Sequence, residues 1–118
     1  MSFLSPRGLY ILDAEHRPVL ERDLLTWGRW MQKRANCVVE QTNVGDHMWV
    51  STVFLGLDHN YSGKGPPVLF ETMIFCGDES EDMWRYSSWD DAVTGHAMAV
   101  KKAKTYLIER SPIPNSNS

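Results

Sequence analysis

Three residues in this 118-residue chain could do chemistry together: His59, Glu71 and His96. Glu71 interrupts the apolar run Leu69-Phe-Glu-Thr-Met-Ile-Phe75, where a carboxylate is costly unless paired or hydrogen-bonded. His96 falls within the apolar stripe of a predicted C-terminal helix. His59 follows Asp58 at the end of a strand-like run, and site residues are often mounted on loops of that kind. His59 shares odd parity with Leu55, Leu57 and Glu71. If odd residues pair with odd across a hairpin, and a helix covers that face, the three side chains meet. Such a cluster would suit a general base or a weak metal site. A register slip of one residue dissolves it. The plainer reading has Glu71 facing solvent or an edge, and His96 packed with one satisfied nitrogen.

The other candidates are binding residues. Asp58 and His59 are adjacent, so they point to opposite faces and form no ready dyad. Gly63-Lys-Gly65-Pro-Pro67 could hold an anion through backbone N–H groups and Lys64, but it opens onto no helix as phosphate loops do, so a flexible hairpin link fits better. Five tryptophans are many for this length. Trp49 and Trp84, expected on outer strands, would serve as interface anchors. There is no G-x-G-x-x-G, P-loop, H-E-x-x-H, C-x-x-C or G-x-S-x-G pattern, so no cofactor is expected. Cys37 and Cys76 lie in apolar runs and read as reduced, buried thiols, too few for a metal centre.

The elements that must position these residues centre on Met48–Leu57 and Val68–Cys76, two apolar runs joined by the polar link Asp58–Pro67. They read as paired central strands. Both are apolar on both faces, where a sheet wetted on one side should alternate more cleanly; part of one face is therefore expected to be a partner or dimer surface. Ahead of them, Gly8–Asp13 reads as a first strand, Ala14–Pro18 as a turn, and Asp23–Arg34 as a helix with Asp23 as N-cap. Pro18 keeps any central strand from running through it. Cys37–Thr42 reads as a strand, and Gly45 is expected to supply the positive φ of the next reversal. Gly77–Met83 reads as a solvated acidic loop, and Trp84–Tyr86 as a short edge strand. Ser88 and Asp91 approximate a capping box before a helix from about Trp89 to Ile108. The prediction is one α+β domain over residues 1–110, in the order β-α-β-β-β-(β)-α. It has a mostly antiparallel sheet of four to five strands and two helices, and residues 111–118 form a disordered tail.

Composition narrows the function classes. Hydrophobic residues make up 42% and charged residues 23%, with a formal net charge of −3, the balance of an ordinary soluble domain. Nucleic-acid binders usually carry a basic stripe, and only Lys101, Lys102 and Lys104 cluster here, so that role ranks low. No run approaches a membrane span, and Met1–Pro6 lacks the features of a signal peptide. The chain is expected to stay in the cytoplasm.

Three stretches are distinctive together: Val50-Ser-Thr-Val-Phe-Leu-Gly-Leu-Asp-His59, Pro66-Pro-Val-Leu-Phe-Glu-Thr-Met-Ile-Phe75, and Arg85-Tyr-Ser-Ser-Trp-Asp-Asp-Ala92 followed by Gly95-His96. With Leu25-Thr-Trp-Gly-Arg-Trp30, the combination resembles a group of small hypothetical proteins encoded by bacteriophages and prophages. The resemblance implies a bacterial host cytoplasm and a phage accessory role. It carries no activity and no catalytic residues. By analogy with other phage accessory proteins of this size, the leading expectation is a non-enzymatic homodimer that binds a host or phage protein, in host takeover or anti-defence. The alternative is a small-molecule binder or hydrolase built on His59, Glu71 and His96.

Overall fold

The computed structural model describes residues 8–77 and 79–110. The expected α+β class holds. Strands β1 (Tyr10–Leu12) and β2 (Pro18–Leu20) form a small antiparallel hairpin. Helix α1 (Leu24–Gln32) and the single turn α2 (Arg34–Cys37) lead into β3 (Val38–Asn43), β4 (Met48–Phe54), β5 (Phe70–Cys76) and β6 (Glu79–Tyr86), an antiparallel meander in chain order. Helix α3 (Trp89–Arg110) closes the fold.

The sequence rules account for most boundaries. Asp23 caps α1, accepting from the Thr26 backbone N–H at 3.2 Å. Ser88 Oγ accepts from the Asp91 N–H at 3.1 Å at the start of α3. No central strand runs through Pro18: it opens β2, one strand of the two-stranded hairpin, where the first residue needs no ladder donor. The acidic residues from Glu79 onward lie in strand β6 and not in a loop, so this edge strand is longer than expected. An edge strand pairs on one side only, and charged residues on it protect the free edge. Cys37 ends α2 rather than opening β3, and both cysteines are free and half-buried. Gly45 does not have positive φ. It is small for another reason: a Cβ there would lie 3.0 Å from Leu107 Cδ1 on α3. The tail at 111–118 lies outside the described residues.

Register decides which side chains share a face. Phe54 pairs with Phe70, Thr52 with Thr72 and Val50 with Ile74, and all six turn towards α3. Small residues on α3 let it approach: Ala92, Ala99 and Ala103 are buried against Phe70, Ile74, Val50 and Met48. Phe54, Leu69, Phe70 and Ile74 are at most 2% exposed, and burying such a side chain contributes about 1.5–3 kcal/mol each. Helix α1 and the β1–β2 hairpin extend the same side, with Trp30 edge-on to Phe54 at 5.6 Å. The opposite face carries Trp49, Ser51 and Val53 on β4, Met73 and Phe75 on β5, and Met83 on β6. None of these joins either core cluster, and no described element lies over them.

Candidate functional site

His96 is 1% exposed and sits between α3 and the sheet. Its Nδ1 lies 2.7 Å from Thr52 Oγ1 and its Nε2 2.8 Å from Thr42 Oγ1. Thr52 Oγ1 in turn lies 2.6 Å from Thr72 Oγ1. A neutral imidazole donates from one nitrogen and accepts at the other, and a hydroxyl can take either part. The chain Thr42–His96–Thr52–Thr72 is therefore satisfied in both tautomers. Burial pushes the His96 pKa below its ordinary value, and the Glu40 carboxylate partly offsets this. The buried ring ties α3 to β3 and β4 directly, and through Thr52 to β5. The three threonines are the partners that sequence reasoning missed. The available signal was their even parity within apolar strands, on the same face as Val50 and Ile74.

The expected cluster of His59, Glu71 and His96 does not assemble. Glu71 pairs in register with Val53 and Arg85, on the face opposite α3. Its carboxylate accepts from Arg85 Nε at 3.0 Å, so the cross-strand pair satisfies the charge. His59 lies beyond β4 in the link, with Nδ1 2.8 Å from Leu57 O. The parity argument failed because α3 covers the even face and not the odd one.

The link itself is tied internally. Asp58 Oδ1 accepts from the N–H groups of Asn60 and Val68 at 2.7 and 2.9 Å. Asn60 Nδ2 donates to the carbonyls of Lys64 and Pro66. Asp58 is thus a loop clamp, and Lys64 projects from an exposed turn. Among the described residues no group of three His, Cys, Asp or Glu is placed to hold a metal ion.

The two candidate tryptophans lie on different surfaces. Trp84 is on edge strand β6, on the α3 side, with Lys102 Nζ 5.4 Å from its ring. A groove of about 370 Å³ runs there between Tyr86 and Met98. Trp49 is not on an outer strand: β4 is central. Its ring stacks on Phe75 across the uncovered face, centroids 5.3 Å apart and planes 18° from parallel. Val53 and Met73 continue this apolar row, half-buried, and Met83 is 47% exposed. The Glu71–Arg85 pair and a bond from Gln41 Nε2 to Ser51 Oγ at 3.2 Å flank the row. An apolar centre with polar groups beside it is the composition of a docking face.

A third feature had no counterpart in the sequence reading. His16, in the β1–β2 turn, stacks on Trp89 with ring centroids 3.8 Å apart. Comparison with protein families, curated proteins and solved structures finds no match to this chain.

Proposed function

We propose that this chain is a non-enzymatic binding protein that pairs with a second copy of itself, and through that assembly engages a host or phage protein. The observation that carries the reading is the uncovered sheet face, with Trp49 stacked on Phe75 and Val53, Met73 and Met83 beside them. Apolar rows of this kind are costly to leave in water, and two such sheets can pack face to face about 10 Å apart. The burial of His96 and the pairing of Glu71 with Arg85 on the other face favour this reading over the small-ligand or hydrolase alternative. The phage accessory role and the host cytoplasm rest on the sequence resemblance alone; no described helix is long and apolar enough to cross a membrane.

Methyl NMR of the methionines locates the paired surface. On dilution, the Met73 and Met83 methyl signals are expected to shift together, while Met48, buried under α3, stays fixed. Concentration-independent spectra at both open-face methionines would remove the proposal.

A further inference from the structure

The β1–β2 turn holds His16 in an uncommon backbone conformation. It is the one non-glycine residue with positive φ among the described residues, at 64°. Asp13 fixes the turn: its Oδ1 accepts from the N–H groups of Glu15 and Arg17, each at 2.9 Å, and its carbonyl accepts from the His16 N–H at 2.9 Å. The result lays the imidazole flat on Trp89, with planes 8° from parallel. A constrained, exposed ring of this kind suggests function, since left-handed conformations at bulky residues persist where surrounding structure enforces them.

Beside the stack lies a cavity of about 270 Å³ between the hairpin, the α1–α2 junction and the start of α3. Trp30, Trp89 and His16 line it together with Asn36, the His16 and Trp89 rings covering one face of each other. Asp13 is the only Asp, Glu, Lys or Arg lining it. The backbone bond from Arg17 is the largest influence holding the Asp13 carboxyl below its ordinary pKa, so it is an anion at neutral pH. A smaller cavity of about 120 Å³ shares His16 and Trp89 and adds Glu15 and Asp90. The one cationic residue at either cavity, Arg17, is already engaged, 3.3 Å from Asp13 and 2.8 Å from Glu15.

We propose that the cavity walled by Trp30, His16, Trp89 and Asp13 binds a small organic cation of the alkylammonium class. Aromatic faces carry negative charge density and attract such cations, and the Asp13 carboxylate, now paired with Arg17 at 3.3 Å, supplies the counter-charge in competition with that guanidinium. The volume admits a ligand of a few carbons and is too small for a nucleotide. An inorganic anion finds no free cation there. The site lies on the α3 side of the sheet, so it does not depend on self-association through the other face.

The test is a titration of the full chain with tetramethylammonium chloride, read by tryptophan fluorescence and by calorimetry, against sodium chloride at equal ionic strength. A saturable, one-site response to tetramethylammonium alone is expected. Asp13→Asn keeps a side-chain oxygen for the turn but removes the charge, and should weaken binding about tenfold, the loss of one charge-assisted contact. Arg17→Gln removes the competing guanidinium and should tighten binding. Circular dichroism establishes that each variant is folded. No saturable response would overturn the proposal, as would equal binding of tert-butanol, an uncharged molecule of nearly the same size. Unchanged affinity in both variants would overturn it too.

Discussion

His96 Nδ1 stands 2.7 Å from Thr52 Oγ1 at the helix–sheet interface, and that one contact joins α3 to β4, one of the two central strands. Thr52 also meets Thr72 on β5, so its hydroxyl is shared by helix and sheet. Thr52→Val keeps the shape and removes the oxygen, leaving one imidazole nitrogen and one hydroxyl buried without that partner. Equilibrium urea unfolding should show a loss of about 1–3 kcal/mol. A loss no larger than for an exposed threonine would mean the network contributes nothing.

The pH dependence of stability follows from the same ring. Burial lowers the folded pKa of His96 below its ordinary 6.5, so the unfolded chain binds this proton more readily than the folded one. The stabilisation is therefore complete above the unfolded value and declines as pH falls from about 6.5 towards the lowered folded value. For one proton the slope cannot exceed about 1.4 kcal/mol per pH unit. Urea midpoints across this range should fall with acid in the native chain and flatten in His96→Gln. Asp13 and Asp23 are also shifted down, from 3.8; their contributions are lost only at lower pH, in a separate window.

Two glycines in helices should respond in opposite directions. A Cβ at Gly95 would lie 2.1 Å from Tyr86 Oη and 2.3 Å from its Cζ, whereas one at Gly28 meets nothing within 4 Å. Gly95→Ala should cost about 1–3 kcal/mol through overpacking against the ring. Gly28→Ala should add about 0.5–1 kcal/mol through helix propensity. Thermal melts of the two variants beside the native chain test both signs.

Glu71 and Arg85 form a partly exposed cross-strand ion pair on the sheet face away from α3. Glu71→Gln should change stability by less than about 1 kcal/mol, since a partly exposed ion pair contributes little. Chemical denaturation gives the answer, and a loss of several kcal/mol would show that the carboxylate has a deeper role.

Much of the fold was legible because local signals agreed with the tertiary outcome. Asp23 and Ser88 announced their helices, and the apolar runs around Val50 and Ile74 announced the central strands. Residues Glu79 to Asp82 misled, because an acidic edge strand has the composition of a loop. The candidate site was less legible. Parity correctly separated Glu71 from Thr72, but no local feature says which face a distant helix will cover, and that choice decided the fate of His96. The His16–Trp89 stack joins residues 73 positions apart in the chain, so spacing could not foretell it.

The face bearing Trp49, Met73 and Phe75 is the surface proposed to pair with a second copy. Sedimentation equilibrium over roughly 1–100 µM, the range in which a face of standard interface size should associate, tests it most directly. A species of twice the chain's 13.5 kDa is expected, and a monomer of unchanged circular dichroism for Phe75→Glu and for Met73→Lys. A native chain that stays monomeric throughout would contradict it, as would variants that remain dimers.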